Sequence, residues 1–267
     1  MRGKNVRATI AALVTAALLY PASAQADGPE ESSSRAPHDS HASAGLRIDG
    51  RAPDCTEIPP GEVPPVAVAT TPVLPLEVRV MTERRHLGDT KTYMKATVDS
   101  FSRIGIRLKV SYDVVIPPST WKTGFLQEAS SDEIFKFMKA RYRGKRPRGV
   151  DLVYYMTAYW SGGMADCIGG VAFADQAFAF GSIDYATEGL VPQPLVNEGF
   201  VAAHELGHLL GAHHHYSNCA EALPSGATRT DLGPCTTMFP LATGISGTFG
   251  LLERSFIRHY TARYAKG

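Results

Sequence analysis

The amino-acid sequence predicts an α+β domain of mixed α/β content: a twisted mixed sheet with helices, followed by a helical and irregular C-terminal third. Three observations carry this. Between Leu74 and Tyr185, short strand-like runs alternate with two segments of helical period. One of those runs, residues 150–158, is almost continuously apolar, as a central strand is. Beyond Asn197, helical spacing takes over. With 267 residues and 44% hydrophobic content, the chain is long enough to bury one sizeable core.

The elements follow in order. "MRGKNVR" is positive and acid-free, "ATIAALVTAALL" is apolar, and "YPASAQA" offers small-residue cleavage sites, so residues 1–26 read as a secretory signal peptide. The apolar run is shorter than the roughly 18 residues a membrane span needs. The chain is therefore expected to be secreted, extracellular or periplasmic, with no stable membrane insertion. Residues 27–73 are first polar and small, then proline-rich, and read as a linker or short pro-segment. The domain is expected over 74–267. "LEVRVMT" (76–82) and "IRLKVSYDVVI" (106–116) alternate apolar and polar residues, and Pro117-Pro118 stops the second. Between them "TKTYMKATVDSFSRIG" spaces Tyr93, Met94, Val98, Phe101 and Ile104 helically and ends at Gly105. A second helix fits "SSDEIFKFMKARYRG", with Ser130 or Ser131 as N-cap, acids in its first turn and bases in its last. "VDLVYYMTA" is the central strand, and "IGGVAFA" and "AFAFGSIDY" read as two more strands joined at Asp175-Gln176.

The formal charge is +1, so nothing in the balance points to nucleic acid. The basic run Lys139–Arg148 reads as a helix end entering a solvated loop.

The most informative stretch is "HELGHLLGAHHHY", residues 204–216, which holds five of the nine histidines. A helix over 197–210, capped by Asn197, stacks His204 and His208 at i and i+4 on one face. Two imidazoles so placed reach one metal at about 2.0–2.1 Å. Were the helix to continue, His214 would lie roughly 9 Å further along the axis. Gly211 can take the left-handed conformation that ends helices, turning the chain back so that a third ring joins the first two. Three neutral nitrogens leave a tetrahedral vertex open for water, the arrangement of a catalytic zinc site with one ion. Glu205 follows the first ligand and lies beside that vertex, placed to take a proton from the attacking water and pass it to a leaving amine.

"HELGHLLGAHH" resembles the HExxHxxGxxH pattern of the metzincin zinc endopeptidases, with His204, His208 and His214 in the ligand positions and Glu205 as base. His213 is the competing third ligand within the triplet 213–215. The resemblance implies a metzincin-like zincin domain with an active-site helix, a Met-turn and a C-terminal helix. "CTTMFP" supplies Met238 for that turn, and "FGLLERSFIRHYTARY" the closing helix. The chain is most similar to the adamalysin, or reprolysin-like, group, although His215 stands where that group has aspartate. The resemblance also implies that a protein or peptide substrate binds in extended form along an edge strand above the metal, for which Gly169, Gly170, Val171 and Ala172 are the candidates. The enzyme is expected to be a monomer. Two other readings remain: a secreted metal-binding protein without catalysis, and a zinc hydrolase of non-peptide amides or esters.

Four cysteines in an exported chain suggest two disulfides. Cys219 and Cys235 bracket the segment between the zinc helix and Met238, and Cys55 and Cys167 then pair by elimination. Alternatively, Cys55 resembles the thiolate switch of some metzincin pro-segments.

Overall fold

The computed structural model describes residues 55, 70–122, 129–183, 198–214, 217, 235–240 and 246–266, all within the compact unit Ala44–Gly267. The expected signal peptide, nearly all of the linker, Asn197, His215 and Cys219 lie outside the described residues.

Five strands form one sheet in the order β2-β1-β3-β5-β4. They are β1 (Leu74–Glu83), β2 (Ile106–Val115), β3 (Leu152–Thr157), β4 (Gly163–Ala165) and β5 (Phe178–Ser182). The first three and β5 run parallel, while β4 closes the sheet antiparallel to β5. Parallel neighbours need long crossover connections, most often helical, and two of the connections here carry helices. These are α1 (Leu87–Ser102) between β1 and β2, and α2 (Ser131–Arg141) between β2 and β3. Ser130 is the N-cap of α2: its hydroxyl accepts from the Glu133 N–H, and the Glu133 carboxylate accepts from the Ser130 N–H at 2.8 Å. α1 instead ends ahead of Gly105, whose φ of 71° lets the chain reverse into β2.

All six residues of β3 are buried, which explains its continuous apolar character. Alternate side chains point to opposite layers. Tyr154 and Met156 face one core with Phe101 of α1, Leu206 of α3 (Glu198–Leu209) and Ile257 of α4 (Leu251–Tyr264). Val153 and Tyr155 face the other, with Ile134 and Met138 of α2. In that second layer Glu83 is buried and accepts hydrogen bonds from Tyr155 and Thr157. Loss of solvent raises its carboxyl pKa despite those bonds.

One expectation is corrected here. Gly169, Gly170, Val171 and Ala172 do not form an edge strand: Gly170–Ala172 is a 3₁₀ turn, entered through Gly169 at φ 79°. Its amides are consumed locally, Gly170 by the Cys167 carbonyl and Ala172 by that of Gly169, and the Gly169 N–H donates to His208 O at 2.8 Å. A Cβ on Gly170 would fall 2.2 Å from the Gln176 carbonyl oxygen, so the segment needs glycine to fold back on itself. The run imitates a strand in composition only. The strand at this edge of the sheet is β4, with β2 at the opposite edge.

Cys55 and Cys167 form a disulfide, with Cα atoms 5.7 Å apart. That bond takes the thiolate a Cys55 switch would require. Cys235 is also disulfide-bonded, and its expected partner lies outside the described residues. Among the described residues no helix is long and apolar enough to cross a membrane.

Candidate active site

The α3 helix is almost wholly buried, and carries His204, Glu205 and His208. It stops at Gly211, which has φ 83°. The Gly211 N–H donates to His208 O at 2.9 Å and the Ala212 N–H to Gly207 O at 3.0 Å, the paired bonds of a Schellman motif. Only glycine suits this position, because a Cβ would also lie 2.4 Å from the Tyr260 ring. The reversal sends 212–214 back towards the helix.

The Nε2 atoms of His204, His208 and His214 then form a triangle with sides of 3.1, 3.1 and 3.2 Å. His213 is not part of this group. Two nitrogens bound tetrahedrally at about 2.0–2.1 Å lie about 3.3 Å apart, so the triangle fits a single ion of zinc's size. The tautomers agree with this. His204 Nδ1 meets Thr237 O at 2.6 Å and His208 Nδ1 meets Ala212 O at 2.7 Å. A carbonyl only accepts, so each Nδ1 carries the proton and each Nε2 keeps its lone pair. Lone pairs converging in a buried pocket repel each other unless a cation sits among them.

Glu205 is fully buried beside His204. Its carboxylate lies against β4: a Cβ on Gly163 would be 2.4 Å from Glu205 Oε1. Behind it, Tyr154 rises from β3 towards α3. Burial pushes its phenol well above the ordinary range, and the charges of Glu205 and Glu198 add to the shift. Met238, also fully buried, packs beneath the helix, with its sulfur 2.7 Å from where a Cβ on Gly207 would be. It therefore lies under the turn joining His204 to His208. Gly163, Thr237 and Glu253 were not singled out from sequence; the doublet Gly162-Gly163 is the one local sign of close approach.

The model of the reprolysin-like metallo-peptidases of family M12B matches residues 90–215, from α1 through the third histidine. That match spans 126 of the 267 residues and takes in His204, Glu205, His208 and His214, so over this stretch the chain is similar to those metallo-peptidases. No match among curated proteins accompanies it. Solved structures similar to this chain include metalloproteinase-II from Bacteroides fragilis, at 15% identity and TM-score 0.44, covering 73% of this chain. The chain spans 55% of that protein's length. Archaemetzincin from Methanopyrus kandleri shows 15% identity and TM-score 0.45 over 70% of this chain and 96% of its own. A zinc-dependent peptidase from Methanocorpusculum labreanum shows 13% and 0.40 over 67% and 99%.

Proposed function

We propose that this chain is an exported zinc endopeptidase in which His204, His208 and His214 hold one zinc ion and Glu205 is the general base. The observation that carries the reading is the 3.1–3.2 Å triangle of Nε2 atoms with a buried carboxylate one residue from its first member. The bound ion supplies Lewis acidity, polarising the scissile carbonyl and lowering the pKa of water towards about 7. Glu205 takes the proton from the attacking water and delivers it to the leaving amine. Met238 gives the site a rigid apolar floor.

The substrate lies extended along β4. Gly162 O accepts from Ser182 N–H and Asp166 N–H donates to Phe178 O, so these positions face β5. By the alternation of an antiparallel pair, the backbone groups of Gly163 and Ala165 point the other way, to where a peptide strand can add. Export is supported by the N-terminal layout and by a disulfide, which persists in oxidising compartments.

The test compares purified wild type and Glu205→Gln for zinc content and for cleavage of casein and a labelled peptide library. Both proteins should hold zinc, and the variant should cleave roughly 10²–10⁴-fold more slowly. Equal background rates with zinc bound would assign a metal-binding protein instead. Turnover confined to non-peptide esters or amides would move the reading to the other hydrolase class.

A further inference from the structure

The geometry points to Glu253 as a positioning residue for the metal site, acting on His204 through a single peptide group. Glu253 lies in the first turn of α4 and is fully buried. Three donors converge on its carboxylate. Oε1 accepts from the Thr236 hydroxyl and from the Met238 N–H at 3.3 Å, and Oε2 accepts from the Gly250 N–H at 2.9 Å. The Oε2 bond caps the helix. The Oε1 bonds reach across to the segment beneath the histidines.

The Met238 N–H and the Thr237 C=O belong to the same planar peptide. On its other side, Thr237 O accepts from His204 Nδ1 at 2.6 Å. The sequence of contacts is therefore carboxylate, peptide N–H, peptide C=O, imidazole Nδ1, with Nε2 at the metal position. Metal-bound histidines commonly donate their second nitrogen to a carboxylate or carbonyl, which fixes the ring and makes it a stronger ligand. Here the two devices are in series. A carboxylate accepting from the N–H polarises the peptide and makes its oxygen a better acceptor, because hydrogen bonds in a chain reinforce one another. Thr237 is also held by hydrogen bonds outside that peptide: its N–H donates to Thr248 O and its Oγ1 to Ser246 O, both at 2.9 Å. Those bonds anchor the residue, and Glu253 adds a charge at the Met238 N–H of the relay peptide. His208 has a carbonyl, Ala212 O, at its own Nδ1, but that carbonyl is not in the Glu253 peptide.

This inference rests on His204 being a metal ligand, and its test separates the two claims. Zinc affinity is measured by chelator competition, and the visible spectrum is recorded on the cobalt-substituted full chain, for wild type, Glu253→Gln and Thr236→Val. Glu253→Gln keeps the shape and an acceptor oxygen but loses the charge. Its zinc affinity should fall about tenfold, with a shifted cobalt spectrum. Thr236→Val removes a bond to the same oxygen without touching the peptide relay, so it should melt lower yet bind zinc within about threefold of wild type. Wild-type affinity and spectrum in Glu253→Gln, or equal losses in both variants, would overturn the inference and leave the functional reading standing. A wild type that binds no metal would overturn both. Should Glu253→Gln not fold, the Met238 amide and His204 Nδ1 proton are followed by NMR in the wild type. Both should shift when zinc is removed, and an unmoved Met238 amide would contradict the relay.

Discussion

Gly163→Ala probes the placement of Glu205, the proposed base, without altering that residue or a proposed ligand. A Cβ built there lies 2.4 Å from Glu205 Oε1 and 2.8 Å from both Cδ and Cγ. Ordinary van der Waals contact begins near 3.5 Å. The Glu205 side chain must therefore retreat by about 1 Å, and the far end of a side chain can do so more readily than the backbone of β4. A displacement of that size in a reacting group costs on the order of 10²-fold in rate. Gly163 has no positive φ, so alanine adds no backbone strain, and the crowding itself should cost about 1–3 kcal/mol of stability. The assay is kcat/KM on a fluorogenic peptide, with zinc content measured on the same preparation. The expected result is a loss of roughly two orders of magnitude with one zinc retained. Activity within threefold of wild type would show that Glu205 does not work from beside β4.

Three further outcomes follow from other positions. Gly211→Ala forces a Cβ onto a left-handed residue and into the Tyr260 ring, so it should cost about 1–3 kcal/mol or more and weaken zinc binding by moving His214; calorimetry and chelator titration check both. Glu83→Gln removes a carboxylate that burial makes hard to ionise while leaving an oxygen for Tyr155. Because the folded pKa of Glu83 is raised, its stability contribution is present below the unfolded carboxylate pKa and is lost as pH rises through the folded one. The variant should therefore melt higher than wild type at pH 7–8, and the gain should vanish as pH falls below the unfolded carboxylate pKa of about 4. Replacing Cys55 and Cys167 together by serine opens a link spanning 112 residues, and chain entropy sets the loss at about 3–5 kcal/mol, measurable by urea unfolding.

What the sequence disclosed was local, and what it concealed was not. His204 and His208 were legible because the helical period alone stacks them, and Gly211 because only a helix break could return His214. The start of α2 was legible to within one residue, as Ser130 or Ser131, because a cap is local; the Glu133 half of its capping box was not singled out. β4 escaped notice because it is three residues long and begins at a glycine, too short for any alternation to register. "GGVAFA" misled in the opposite direction: its apolar composition suits a strand, but Gly169 and Gly170 bend it into a turn whose amides are already bonded. Glu253 was invisible because its meaning depends on Thr236, 17 residues upstream, and on a peptide shared with the Met-turn.

X-ray absorption at the zinc edge of the loaded protein is the most direct examination of the site. The expected result is three imidazole nitrogens at about 2.0–2.1 Å and one further oxygen, at the vertex left for water. Fewer than three imidazoles, or a sulfur scatterer near 2.3 Å, would contradict it.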